Sequence, residues 1–197
     1  VVAIQQNNIK RMLAYSSIAH AGYMLLAMPV MSGDSVYAIM IYMVMYLFMN
    51  LGAFFVVITV KNKTGGETFD DYKGLGWEMP LIGIVMTIFM VSLTGLPPSA
   101  GFVGKFYIFA SLIKGGSQFY WLVVVGGINS VISLYYYFRV VKVMFLEGER
   151  KDTILQPPIV MAGMLLATAI PTVILGIYWT PVADWIQNSL TFFIQTL

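Results

Sequence analysis

The run Leu93-Thr94-Gly95-Leu96-Pro97-Pro98-Ser99-Ala100-Gly101-Phe102-Val103-Gly104-Lys105-Phe106-Tyr107 decides how this sequence is read. It sits inside an apolar segment, Met79–Ile113, whose residues 79–104 carry no charge. As one α-helix that segment would be about 52 Å long, against a bilayer core of about 30 Å. Pro97 and Pro98 have no N–H to donate, so the carbonyls four residues back, on Leu93 and Thr94, lose their helical partners. Gly95, Gly101 and Gly104 let the backbone bend and neighbours pack closely. The segment is therefore expected to be a membrane helix broken near 95–101. Irregular backbone at membrane depth persists only where protein or a water-filled cavity satisfies it, and such breaks mark ion or substrate sites in many transporters.

The surroundings of this segment point the same way. Of 197 residues, 59 % are hydrophobic and 10 % charged, where a soluble domain carries about 25 % charge. That composition excludes an ordinary soluble enzyme, a nucleic-acid binder and a disordered chain. The absence of cysteine excludes a disulfide scaffold, a thiolate zinc site and a cysteine-held iron–sulfur cluster. Charge-free stretches recur at 12–33, 35–60, 79–104, 115–138 and 153–183, each long enough for the roughly 20 residues of a membrane helix. The expected fold class is an all-α polytopic membrane protein with about five transmembrane helices, one of them broken.

Helices are expected at about 12–31, 35–60, 79–113 (broken), 119–145 and 158–179. An amphipathic tail follows, with Val182, Trp185, Ile186, Phe193, Ile194 and Leu197 on its apolar side. Residues 1–146 form one expected bundle; residues 147–197 add a final helix, kinked at Pro171, and the tail. Lys10, Arg11, Lys61, Lys63, Lys73, Arg139, Lys142, Arg150 and Lys151 fall on one side of the membrane, and Lys114 alone on the other. This asymmetry predicts that the basic side faces the cytoplasm, or a matrix or stroma, and that the C-terminus faces the periplasm or its equivalent. The chain opens at Val1 with no initiator Met, and is expected to be a fragment of a longer polytopic protein.

Two residues inside the spans can carry protons. Lys105 follows the break and lies too far from the end of its segment for its stem to snorkel out. An ammonium in apolar surroundings, next to the positive end of a half-helix, is poised to give up its proton. Intramembrane charges are functional by default; the structural alternative is a lysine that only satisfies the freed carbonyls of Leu93 and Thr94, and both roles can hold. Helix 12–31 carries the single histidine. Lys10, Ser17 and His20 fall roughly on one face, with Ser16 and Tyr23 close by. Histidine can pass a proton between its ring nitrogens; the alternative is a neutral histidine bonded between helices. Asn50 and Asn129 are expected to join helices or hold water. Tyr135, Tyr136 and Tyr137 are accounted for as interfacial anchors.

Two motifs resemble a known family. Asn8-Ile9-Lys10-Arg11-Met12-Leu13-Ala14-Tyr15-Ser16-Ser17-Ile18-Ala19-His20-Ala21-Gly22-Tyr23 and Gly95-Leu96-Pro97-Pro98-Ser99-Ala100-Gly101-Phe102-Val103-Gly104-Lys105-Phe106-Tyr107 look like signatures of the antiporter-like, proton-pumping subunits of respiratory complex I. Asp71-Tyr72-Lys73-Gly74-Leu75-Gly76 and Leu134-Tyr135-Tyr136-Tyr137-Phe138-Arg139-Val140-Val141 are most similar to subunit N of bacterial NADH–quinone oxidoreductase. The resemblance implies two inverted half-bundles in the parent, of which this chain holds most of the second. It implies proton translocation coupled to quinone reduction through Lys105, His20 and Lys10, with Ser16, Ser17, Tyr23 and Thr94 in support. It places NADH, FMN, iron–sulfur clusters and quinone in partner subunits and none of them here. It also implies other complex I membrane subunits and the lipid bilayer as partners, no nucleic acid, and a bacterial inner-membrane location. The double proline departs from relatives that keep one. A subunit of an Mrp-type cation/proton antiporter is the alternative.

Overall fold

The structure, a computed structural model, describes residues 2–148 and 155–195, with side chains described as far as Thr191 in the last helix. The described residues form α-helices joined by turns and short 3-10 segments: α1 (Ile9–Ala27), α2 (Gly33–Thr64), α3 (Leu75–Glu78), α4 (Pro80–Thr94), α5 (Ala100–Gly115), α6 (Tyr120–Leu146), α7 (Ile159–Ile177) and α8 (Thr180–Gln195). The only strand-like contact among them is an isolated bridge between Asn8 and Thr68.

Local chemistry sets the helix ends. Asn8 caps α1, its side chain accepting from Arg11 N–H at 2.9 Å. Ser32 and Ser35 form a reciprocal capping box at the start of α2. That helix runs to Thr64, past the expected end at Val60, because Lys61 and Lys63 suit its negative terminus and Gly65, at φ 80°, closes it. Pro80 opens α4, where a missing N–H costs nothing. Gly95, at φ 86°, ends it.

Among the described residues, four stretches are long and apolar enough to cross a membrane: Ile9–Val30, Gly33–Thr64, Ser117–Leu146 and Ile159–Ile177. The segment 79–113 is divided. α4 and α5 have 15 and 16 residues, or about 22 and 24 Å each, and neither spans the core alone. The turn and helix over Asp70–Glu78 lie across the foot of α4 at 113°. Large apolar side chains face outward, among them Ile18, Leu25, Ile84, Val131 and Ile170, as expected of helices solvated by lipid rather than water.

The bundle is built around α2, which packs on α1, α4, α5 and α7. Its Gly52 leaves no room for a Cβ beside the ring of Phe89 on α4, and Gly104 on α5 would bring one within 2.6 Å of Tyr42. The tail differs from expectation. Ala183 and Ile186 of α8 are buried in a cluster with Ile41, Met45, Ala100 and Val103, while Trp185 is exposed. The amphipathic helix thus lays its apolar face on the bundle. The predicted positions Phe193, Ile194 and Leu197 lie outside the described side chains, as do Arg150 and Lys151 of the basic side.

The remaining basic residues do gather at one end. Lys10 and Lys61 both approach Glu67, at 3.7 and 2.9 Å, Lys142 pairs with Glu147 at 2.9 Å, and Arg139 reaches Gln6. At the opposite end Lys114 pairs with Asp34 at 2.8 Å.

Candidate functional site: a buried lysine and histidine at the helix break

α4 ends where its last carbonyls run out of partners, and α5 supplies one. Lys105, on the second turn of α5, is 4 % exposed. Its ammonium donates to the carbonyls of Thr94 at 2.7 Å and Leu93 at 3.3 Å, and to Ser130 Oγ on α6 at 2.8 Å. These are the two carbonyls that Pro97 and Pro98 leave unpaired. Gly95 makes the approach possible, since a Cβ there would lie 2.8 Å from Lys105 Cδ. Ser99 caps α5, its hydroxyl accepting from Phe102 N–H at 3.4 Å. Ser92 Oγ accepts from Gly101 N–H at 3.0 Å, so the end of one half-helix is bonded to the start of the other. α7 covers the flank: a Cβ on Gly176 would meet Ser99 Cα at 2.6 Å.

His20, 2 % exposed, forms a second buried centre. Nδ1 lies 2.6 Å from Tyr42 Oη on α2, and Nε2 lies 2.9 Å from Tyr137 Oη on α6. A neutral imidazole carries one N–H, so one hydroxyl accepts and the other donates. The Tyr46 ring stacks on the imidazole at 4.9 Å. Tyr23 stands between the two centres. The Lys105 ammonium lies 4.5 Å from the centre of its ring, and its hydroxyl donates to Gly126 O at 3.1 Å while accepting from Asn129 at 3.2 Å. No hydrogen bond joins Lys105 to His20 directly among the described residues. Gly126, Asn129, Ser130, Ser133 and Tyr137 repeat at helical spacing, so one face of α6 lines the whole axis.

A cavity of about 480 Å³ opens beside α5. It touches Lys105, Gly95 and Ser130, and continues along Phe106 and Ile113 to Lys114 on the less basic side. The buried ammonium therefore borders an apolar groove that is open to the outside of the bundle.

The other expected site residues divide between the axis and the basic end. Lys10 is not in the buried axis: its side chain is 53 % exposed and faces Glu67 at the basic end. Ten residues of α1, about 15 Å, separate it from His20. Ser16 and Ser17 donate to the Leu13 carbonyl at 2.8 and 3.1 Å, and they also meet the hydroxyls of Tyr137 and Tyr46, which flank His20. Thr94 contributes its carbonyl, while its hydroxyl bonds to Met90 O at 2.8 Å. Tyr136 and Tyr137 are buried, and only Tyr135 is exposed as an interfacial anchor would be. Tyr42, Tyr46 and Ser130 went unselected in the sequence reading. Their signal was spacing: Tyr42 and Tyr46 are four residues apart, and Ser130 is seven before Tyr137.

Outside the membrane, electrostatics tie the ends of α1 and α2. Hydrogen bonds from Lys61 and Asn8 hold the Glu67 carboxyl below its usual range. Bonds from Thr68 do the same for Asp71.

A polytopic helical bundle with one helix interrupted at a buried, multiply bonded lysine defines the transporter-like class of membrane protein. Residues 1–133 match the family described as NADH:quinone oxidoreductase/Mrp antiporter, transmembrane. The chain belongs to that family. NADH-quinone oxidoreductase subunit N 2 of Sorangium cellulosum is 53 % identical over 193 residues, covering 96 % of this chain and 38 % of the relative. The chain thus spans well under half the length of that protein. Among solved structures, respiratory complex I from Thermus thermophilus with bound aureothin contains a chain that matches with a TM-score of 0.75 and 31 % identity, over 93 % of this chain and 41 % of that one. The Mrp complex from Dietzia sp. matches with a TM-score of 0.83 at 17 % identity, over 95 % and 43 %, a likeness of fold alone.

Proposed function

We propose that this chain is the second half-bundle and final helix of a membrane subunit of a bacterial NADH–quinone oxidoreductase, and that it carries protons through the Lys105–Tyr23–His20 axis. The observation that carries this reading is the Lys105 ammonium: buried, bonded to the carbonyls of the break, and bordered by a cavity that leads toward Lys114. The names of the subunit N relatives support the assignment to the complex. Quinone reduction in partner subunits alters the protonation or hydration of the axis. His20 relays the proton from the inner side, and Lys105 releases it into the cavity. NADH, FMN, iron–sulfur clusters and quinone belong to those partners; this sequence has no cysteine to ligate a cluster. The basic end faces the cytoplasm and the C-terminus the periplasm. A subunit of an Mrp-type cation/proton antiporter is the second reading, favoured by the family's breadth and the shared fold.

The test uses the tagged full-length protein, purified in mild detergent. Co-purifying flavin and NADH oxidation support the first reading; their absence, with sodium- or potassium-driven proton flux in vesicles, supports the second. In the assembled complex, Lys105→Ala is expected to abolish NADH-driven proton uptake while the complex still assembles. Undiminished pumping would refute the relay, and loss of assembly alone would favour a structural lysine.

A further inference from the structure

A groove of about 1270 Å³ runs between α4 and α6 on the outer surface of the bundle. It is larger than the roughly 300–1,000 Å³ of a small-molecule pocket. Its walls are apolar, with Ile84 and Ile88 from α4 and Leu134 and Phe138 from α6. Its inner end touches Leu96, within the break. From Ile84 to Thr94 the helix rises about 15 Å, which is one leaflet of a core about 30 Å thick.

The outer end of the groove is ionic, and it lies at the basic end of the molecule. Lys73 pairs with Asp70 at 2.6 Å and Lys142 with Glu147 at 2.9 Å. Arg139 has no carboxylate partner among the described residues. Its guanidinium lies 4.0 Å over the Phe69 ring and reaches only neutral acceptors, Gln6 O at 3.4 Å and Asn7 Oδ1 at 3.5 Å. Among the described residues the groove head holds three cations, Lys73, Arg139 and Lys142, against two carboxylates, Asp70 and Glu147. The charge of Arg139 reaches Glu147 without an ion pair, and its stacked guanidinium keeps N–H donors to spare. A guanidinium is suited to bidentate binding of a phosphate.

We propose that this groove is a binding site for an anionic phospholipid of the leaflet on the basic side. The phosphate sits on Arg139, and the acyl chains lie along Ile84, Ile88, Leu134 and Phe138 toward Leu96. An apolar helix, from another chain or from the rest of the full-length protein, would cover the same walls and leave the excess positive charge without an anion, which is why charge favours the lipid. The site depends on membrane insertion and not on proton transfer, so it stands apart from the reading above.

The experiment uses the full-length protein in nanodiscs of phosphatidylcholine doped with a photoreactive phosphatidylglycerol, with photoreactive phosphatidylcholine as the matched probe. Labelled peptides are mapped by mass spectrometry. Phosphatidylglycerol is expected to label the α4 and α6 peptides around Ile84, Ile88 and Leu134 in preference to phosphatidylcholine. Arg139→Gln should reduce that preference about fivefold, the effect of one basic side chain near anionic headgroups. Arg139→Lys, which keeps the charge but not the planar fork, should retain part of it, which separates loss of charge from misfolding. Ile88→Trp, which fills the groove, should reduce labelling by both lipids. Equal labelling by the two lipids, or labelling indifferent to Arg139→Gln, would overturn the site. So would a protein adduct formed in the cell by a photoreactive amino acid at position 84, which would identify a helix as the occupant.

Discussion

Replacing Gly101 by alanine tests how closely the two halves of the broken helix are pressed together. A Cβ at this position would overlap the Ser92 carbonyl oxygen, lie 2.8 Å from the Ser92 carbonyl carbon, and meet Met49 Sδ at 3.2 Å. The first two atoms are backbone, so no rotamer change relieves the clash. α5 must back away from α4, taking with it the 3.0 Å bond from Gly101 N–H to Ser92 Oγ. Overpacking a filled interior costs about 1–3 kcal/mol, and the lost bond about 1 kcal/mol more. The higher helix propensity of alanine offsets about 1 kcal/mol, leaving a net loss of about 1–3 kcal/mol. Gly22, in the middle of α1, is the matched control, because a Cβ there meets nothing within 4 Å. In thermal unfolding of the full-length protein in one detergent, Gly101→Ala should melt about 1–3 °C lower, and Gly22→Ala should match or exceed the parent. If both alanines melt with the parent, the tight junction between the half-helices is refuted.

Tyr137→Phe keeps the ring and removes the hydroxyl 2.9 Å from His20 Nε2. It should cost about 1 kcal/mol of stability and lower the protons pumped per NADH oxidised in vesicles; full pumping by both Tyr137→Phe and Tyr42→Phe would remove His20 from the path. Glu67 predicts an acid-sensitive junction between α1 and α2. Its folded carboxyl titrates below the ordinary value of 4.5, so its stabilising effect is complete above that pH and is lost as pH falls through the lower, folded value. The exchange protection of the Ile9 N–H, which donates to Glu67 O at 2.8 Å, taken relative to the intrinsic rate at each pH, should therefore fall in acid below pH 4.5, and Glu67→Gln should flatten that dependence.

The break was legible because its cause is covalent. Two prolines remove two donors, and that identifies the orphaned carbonyls before any packing is known. A lysine eleven and twelve residues on is then an evident donor, and Lys105 bonds to both. The all-helical membrane class was equally plain from the charge-free stretches. Partners that meet only in three dimensions were harder to see. Tyr42 and Tyr137 lie 22 and 117 residues from His20, and no local pattern links them. The tyrosine run looked like an interfacial belt because its position near Arg139 fits one. Helical rotation nevertheless turns Tyr136 and Tyr137 inward and leaves Tyr135 outside. Lys10 shared a helical face with His20, but the face continues past the end of the buried span, and there a lysine meets Glu67 instead.

The contact between α7 and the break reaches beyond packing. Residues 1–146 contain both half-helices, the lysine, the histidine and both tyrosines that hold it. Yet the backbone of Pro98 and Ser99 is covered by Gly176, thirty residues past the end of α6. A polypeptide stopped in the connection before α7 would lose the backbone surface of Gly176 that lies against Pro98 and Ser99. An excised piece that keeps this contact on the break therefore has to include α7.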